Sequence, residues 1–172
     1  MVDERSLADN PWTVSCPDYD LLVDRELIVI RWRRPTHASA STLHFELVDH
    51  AERLGVRPLI AIIIGPDCPP PDHRTRDALL RGHDRLHGYS RDTRLVILGD
   101  SLRQRVMRSM VTGMTLAAGL RGKAFHVDRS LSELLVTVSA ELGRDPAATL
   151  AQLVDAGLIE SDEIPAIDRN PS

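Results

Sequence analysis

Short apolar runs alternate with longer amphipathic segments along this chain. The apolar runs lie at residues 27–32, 58–64, 94–98 and 123–127. Between successive runs, apolar residues recur at the spacing of one face of a helix. Strands joined through helices cannot pair as simple hairpins, so this order predicts mostly parallel strands in one sheet covered by helices.

The first part of the sheet is predicted to be a β-hairpin. Residues 19–23 and 27–32 are strand-like and flank the short polar segment 24–26, which is typical of two antiparallel strands. The expected fold class is therefore α/β, with an opening hairpin followed by alternating helices and strands. The mostly parallel sheet is expected to have about four to five strands.

The first predicted helix lies between the apolar runs at residues 27–32 and 58–64. It is expected to begin at about Thr42 and to end at Gly55, a residue type common at helix C-terminal caps. Its inner face is expected to carry Leu43, Leu47 and Ala51, which repeat at helical spacing.

Capping residues mark the beginnings of four further helices. Asp72 is expected to cap the second helix, and Ser101 the third, which is expected over about residues 102–120. Ser130 and Asp145 precede the fourth and fifth predicted helices, and a proline follows Asp145 at the first helical position.

The length of 172 residues fits one domain with extensions, because two ordinary domains need a longer chain. An irregular lead-in is expected at residues 1–18 and the α/β domain at residues 19–142. A helical extension is expected at residues 143–160, followed by a tail at residues 161–172.

Charge and cysteine content indicate a soluble cytoplasmic protein. Cys16 and Cys68 show no CxxC spacing, which favours a reducing compartment. The first residues are acidic where a secretory signal would be basic, and residues 59–64 are far shorter than the roughly 20 residues of a membrane span. No membrane partner is expected.

The composition also argues against nucleic acid as a partner. The net charge is -4, and the chain has only two Phe on which bases could stack. The second predicted helix nevertheless has a basic face, formed by Arg74, Arg81 and Arg85. A solvated helix face explains these arginines as well as an anion-binding role does.

No catalytic or metal-binding motif is present in the sequence. Asp100, Ser101 and His126 are residue types found in hydrolases, but there is no GxSxG elbow, and Ser101 is better placed as a helix cap. His83 and His87 have metal-ligand spacing but lack a third ligand. The expectation is a protein that is not an enzyme and has no cofactor and no metal site.

The order of elements and the loop Leu98, Gly99, Asp100, Ser101 before the third helix resemble the STAS family. This is the domain shared by sulfate transporters and anti-sigma-factor antagonists, and the resemblance covers roughly residues 19–142. It is strongest to a divergent bacterial branch that is also similar to CRAL-TRIO lipid-transfer domains. The resemblance implies a regulatory module without chemistry of its own. Its implied partner is a kinase, an anti-sigma-like regulator or a second copy of the chain.

The chain departs from the STAS pattern after the central strand. Antagonists of that family have a serine there that the partner kinase phosphorylates, whereas residues 65–72 are rich in proline and contain no serine. Thr75 is the nearest hydroxyl, and a phosphate there would lie near the positive end of the helix dipole. The partner-binding candidates at this corner are Pro70, Asp72, His73, Thr75 and Arg76.

The third predicted helix suggests a second function of a different class. Met107, Met110 and Met114 belong to an apolar arc that is broader than contact with one sheet requires. They are core residues, or they line an apolar ligand cleft or an interface. The alternative to the interaction module is therefore a carrier or sensor of an apolar small molecule.

Overall fold

The computed structural model describes residues 11–117, 119 and 124–164. Its strands are β1 (Trp12–Ser15), β2 (Tyr19–Val23), β3 (Leu27–Trp32), β4 (Leu59–Ile64), β5 (Asp92–Ile97) and β6 (Phe125–Asp128). Its helices are α1 (His37–Leu54), α2 (His73–Leu86), α3 (Leu102–Ala117), α4 (Leu131–Leu142) and α5 (Pro146–Asp155). The predicted end of the third helix, the predicted start of the last strand and most of the predicted tail lie outside the described residues.

The strands lie in the sheet in the same order as in the sequence, from β1 to β6. The first three are antiparallel neighbours, and the last four are parallel. Each crossover thus advances one position in the same direction. Because such connections are right-handed, α1, α2 and α3 fall on one face of the sheet. The predicted α/β fold with an opening hairpin is confirmed, although the sheet has six strands.

The sheet separates two apolar layers. On the first face, Ile60 and Ile64 of β4 pack with residues of α1, α2 and α3. On the second face, Leu59 and Ile63 of the same strand pack with α4 and α5. Covered on both sides, β4 is apolar throughout, as predicted from its sequence.

Two boundary predictions are wrong. The lead-in contains β1, which pairs with β2, so Trp12 lies opposite Val23. Its four residues are exposed and form too short a run to read as a strand. Helix α1 begins at His37 rather than Thr42, because the Thr36 hydroxyl accepts a hydrogen bond from the Ser39 backbone N–H at 3.2 Å.

The other capping predictions agree with the structure at four helix ends. Asp72, Ser130 and Asp145 accept backbone N–H bonds at the starts of α2, α4 and α5. Gly55 ends α1 in the left-handed conformation at φ 63°, which glycine adopts without steric cost. At the start of α3, the backbone carbonyl of Ser101 accepts from Arg105 N–H at 3.1 Å.

Two buried ion pairs on the second face connect β5 to β6 and β3 to the segment that follows α5. Arg94 of β5 donates two hydrogen bonds to the Asp128 carboxylate of β6, at 3.0 and 2.5 Å. Arg31 of β3 forms an ion pair with Glu163, which lies beyond α5.

Within the described part of the chain, no helix has the length and apolar character needed to cross a membrane.

Candidate functional site

The spacing of the three helices on the first face is uneven. Helix α1 lies against α2, where Gly82 has no side chain and faces the ring of His44. A cavity of about 110 Å³ instead separates α2 from α3. Because α2 lies close to α1 and apart from α3, the part of the sheet between α2 and α3 borders the cavity instead of a helix.

The walls of this cavity are almost entirely apolar. Ile62, Ile64 and Leu95 form much of its floor on the sheet. The remaining lining residues come from β3, the loops at the carboxyl ends of the strands, both helices and β6: Trp32, Pro35, Cys68, Pro71, Leu79, Leu80, His83, Met107, Met110, Val111, Met114, Thr115 and Phe125. Such walls suit an apolar molecule and offer few fixed charges for catalysis.

The structure brings the three predicted methionines together on one wall. Met107 is buried against the sheet, while Met110 and Met114 are half-buried and line the cavity toward α2. Methionine side chains are flexible and polarizable, so this wall can adjust to the shape of a ligand. The wide apolar arc of α3 is therefore explained in part by the cavity.

Cys68 lines the cavity as a neutral thiol. It is free and buried, and burial raises the pKa of Cys68 to about 11, although the nearby Arg31 charge opposes the shift. The reactive species of a cysteine is its thiolate. Near neutral pH, Cys68 is consequently a packing residue rather than a nucleophile.

The predicted partner-binding corner is only partly exposed. Pro70, Asp72 and His73 are at the surface, Arg76 is half-buried, and Thr75 is buried. The Thr75 backbone N–H donates to Asp72 Oδ1 at 2.8 Å, and the hydrogen bonds from the backbone and hydroxyl of Thr75 lower the pKa of Asp72. A kinase could reach Thr75 only after the first turn of α2 opened.

The residues considered for hydrolysis do not converge. Asp100 and Ser101 are exposed after the end of β5, where the Arg108 guanidinium lies 3.7 Å from Asp100. His126 lies opposite Arg94 in the register, near the beginning of β5, and its Nε2 is 3.5 Å from Asp92. These groups stand at opposite ends of one strand and cannot form a triad.

A second, smaller chamber of about 60 Å³ adjoins the first. The two chambers share lining residues, namely Trp32, Ile62, Leu79 and His83. His44 also lines the inner chamber, and burial lowers its pKa, which favours the neutral imidazole.

Thr93 is the one hydroxyl residue among those lining the inner chamber. It is 1% exposed, and its hydroxyl has no hydrogen-bond partner among the residues that the structure describes. Sequence reasoning missed Thr93, because the predicted strand began at residue 94, whereas β5 begins at Asp92.

The outer face of α3 carries exposed apolar side chains that the sequence did not separate from the buried ones. Leu102, Val106 and Leu116 are 76%, 52% and 51% exposed. They fall within an arc of about 80° around the helix axis, because each residue turns the helix by about 100°. This exposed arc is called the outer stripe below.

Among the described residues, no three His, Cys, Asp or Glu side chains form a group that could hold a metal ion. Comparison with known proteins gives no match to a family model, to a curated protein or to a solved structure. The fold and the site together define an α/β protein with a sequentially ordered mixed sheet and an apolar cavity under two helices.

Proposed function

We propose that this protein is a non-enzymatic sensor or carrier of a small apolar molecule, which binds in the cavity between α2 and α3. The observation that carries the proposal is the cavity of about 110 Å³ itself, with its nearly complete apolar lining. Cavities of about 150 Å³ in proteins hold benzene. This cavity and the adjoining chamber of about 60 Å³ together reach that size, so the expected ligand is no larger than a compact ring or a short aliphatic chain.

The lining supports binding rather than chemistry. Among the residues bordering the cavity, Cys68 is held as a neutral thiol and Thr115 is the one hydroxyl. Catalysis requires charged or polar groups directed at the reacting atoms. The apolar walls instead provide favourable burial of ligand surface, and the flexible methionines allow entry.

Replacing both half-buried methionines with glutamine is expected to weaken ligand binding at least about tenfold. The Met110→Gln and Met114→Gln changes keep side-chain length, but they place amides on the wall that are costly to bury without partners. Binding is measured by titrating toluene, a probe of suitable size, into protein carrying ¹³C-methyl methionine. The methyl signal of Met107, which is retained in the double variant, reports toluene binding in both the unmodified protein and that variant.

Leu116→Gln is the matched control, because Leu116 is an exposed apolar residue of the same helix and is not among the cavity residues. This variant should bind toluene as the unmodified protein does. Thermal unfolding of all three proteins establishes that they are folded. Absence of saturable methyl shifts in the unmodified protein would mean that the cavity does not bind apolar molecules.

A second candidate is a regulatory interaction module of the STAS type, and the outer stripe favours it. The stripe is flanked by Arg103 and Arg105, and α3 contains no acidic residue. Charge complementarity therefore favours an acidic amphipathic helix of another protein over a second copy of the same basic helix. The exposed residues of the proline-rich corner, Pro70, Asp72 and His73, together with Arg76, remain candidates for partner contacts.

For this second candidate, Val106→Glu is expected to reduce partner binding at least about tenfold, since it puts an acid into the centre of the outer stripe. Val136→Glu is the control, because Val136 is 57% exposed on α4, across the sheet. Partners that copurify from the native host are quantified by mass spectrometry at low and high salt. Equal recovery with both variants would exclude the outer stripe as the docking surface.

A further inference from the structure

The floor beneath the two chambers is a continuous apolar surface with one polar interruption. In register, Thr93 of β5 lies between Ile60 of β4 and Phe125 of β6. Leu95 follows on the same side of β5, since alternate residues of a strand face the same way. Thr93 thus occupies a position at which an isosteric valine would match its surroundings.

The Thr93 hydroxyl is placed unfavourably for a purely structural residue. Its oxygen is fully buried and has no hydrogen-bond partner in the described part of the chain. Its backbone N–H, by contrast, donates to the Ala124 carbonyl at 2.9 Å as part of the sheet. A buried hydroxyl without a partner costs stability, and such groups in native proteins require an explanation.

A single bound water explains the hydroxyl poorly. Buried waters typically make about three hydrogen bonds to polar groups. Besides Thr93, the polar side chains that line the inner chamber are those of His44 and His83, and the Nδ1 atom of His44 already lies 3.1 Å from the Ala40 carbonyl. A ligand with one polar group needs only the Thr93 hydroxyl, since its remaining atoms contact the apolar walls.

We infer that the ligand of this cavity is a small apolar molecule bearing one neutral hydrogen-bonding group, a hydroxyl or a carbonyl, which binds the Thr93 hydroxyl at the inner chamber once the side chains that cover its oxygen shift. Its apolar body lies against the shared residues Trp32, Ile62 and Leu79 and extends into the outer chamber. This inference rests on the proposed function and adds a chemical class to it. A charged group is disfavoured, because no Arg, Lys, Asp or Glu side chain is among the residues that line the inner chamber to compensate for its desolvation.

The test compares phenol with toluene, two probes of nearly equal shape that differ in a hydroxyl and a methyl group. Dissociation constants for both are measured by methyl NMR titration on the unmodified protein and on Thr93→Val, which removes the hydroxyl and preserves the shape. The ratio of the phenol constant to the toluene constant should rise about tenfold in Thr93→Val. Thr93→Ser, which keeps a hydroxyl, should retain most of the preference for phenol.

The outcomes separate the two proposals. Toluene binding with an unchanged ratio in Thr93→Val would overturn the role of Thr93 and leave the apolar cavity as a binding site. Failure of both probes to bind the unmodified protein would overturn the proposed function itself. Thermal unfolding provides the folding control, and Thr93→Val should be at least as stable as the unmodified protein because it removes a buried hydroxyl without a partner.

Discussion

Replacing Glu163 with alanine should lower the free energy of unfolding by about 3 kcal/mol, because it leaves a buried arginine without its main counter-ion. The side chains of Arg31 and Glu163 are only 7% and 8% exposed. Both guanidinium nitrogens Nη1 and Nη2 donate to the Glu163 carboxylate, the second at 2.9 Å. Nη1 also donates to the Leu158 carbonyl at 2.9 Å.

The expected loss lies at the lower end of the range for broken buried pairs. A polar cavity of about 270 Å³ borders Arg31, so water can replace part of the lost solvation. Urea denaturation followed by circular dichroism measures the change. Glu160→Ala is the control, since the Glu160 side chain is 68% exposed and its oxygen lies 3.3 Å from Arg31. Its effect should stay below about 0.5 kcal/mol.

The double variant Arg31→Met with Glu163→Met tests whether the unpaired charge of Arg31 causes the loss of stability in Glu163→Ala. Removing both charges together leaves no buried ion unpaired, so much of the stability should return. If Glu163→Ala and Glu160→Ala had equal effects, the buried pair would not be what holds the segment after α5 on the sheet. If the double variant lost as much unfolding free energy as Glu163→Ala, the cause of the destabilisation would be lost packing rather than an unpaired charge.

Replacing Gly82 with alanine should destabilise the protein by about 2 kcal/mol, although alanine is the better helix former. A Cβ atom at this position would lie 2.7 Å from Nδ1 and 3.0 Å from Cγ of His44. The His44 ring is buried, and its Nδ1 is hydrogen-bonded to the Ala40 carbonyl. The ring can move aside only by breaking that bond or by separating α1 from α2.

Gly113→Ala is the matched control in α3, because a Cβ there has no other atom within 4 Å. This substitution should stabilise the protein by about 0.5–1 kcal/mol through helix propensity alone. Denaturant titration of both variants gives the comparison. Stabilisation by Gly82→Ala would mean that α1 and α2 are not held at the described distance. His44→Ala in the Gly82→Ala background should recover part of the loss.

Several features of the fold were predictable because they depend on local sequence. The hairpin was assigned at residues 19–23 and 27–32, where the structure has β2 and β3. The caps at Asp72 and Ser130 also followed directly from side-chain chemistry at a helix start. Strand β1 was missed, since its four exposed residues have no local pattern and are held by pairing with β2.

The candidate site was predictable only in part. Periodicity placed Met107, Met110 and Met114 on a broad apolar arc, but it could not separate the side facing the cavity from the outer stripe. Thr93 could not be singled out, because its significance depends on which residues of other elements surround it. The burial of Thr75 likewise depends on how the start of α2 packs in the folded protein.

By itself, the sequence determined the class of fold, the order of its elements after β1 and most helix starts, because these follow from hydrophobic period and capping chemistry over a few residues. Only the tertiary structure decided where the helices stand apart. Helices α1 and α2 pack closely, because a Cβ at Gly82 would lie only 2.7 Å from the His44 ring. Helices α2 and α3 are separated by the cavity of about 110 Å³. Both spacings depend on side chains that are far apart in the chain. Packing between such residues depends on volumes and distances in three dimensions, which no local pattern contains.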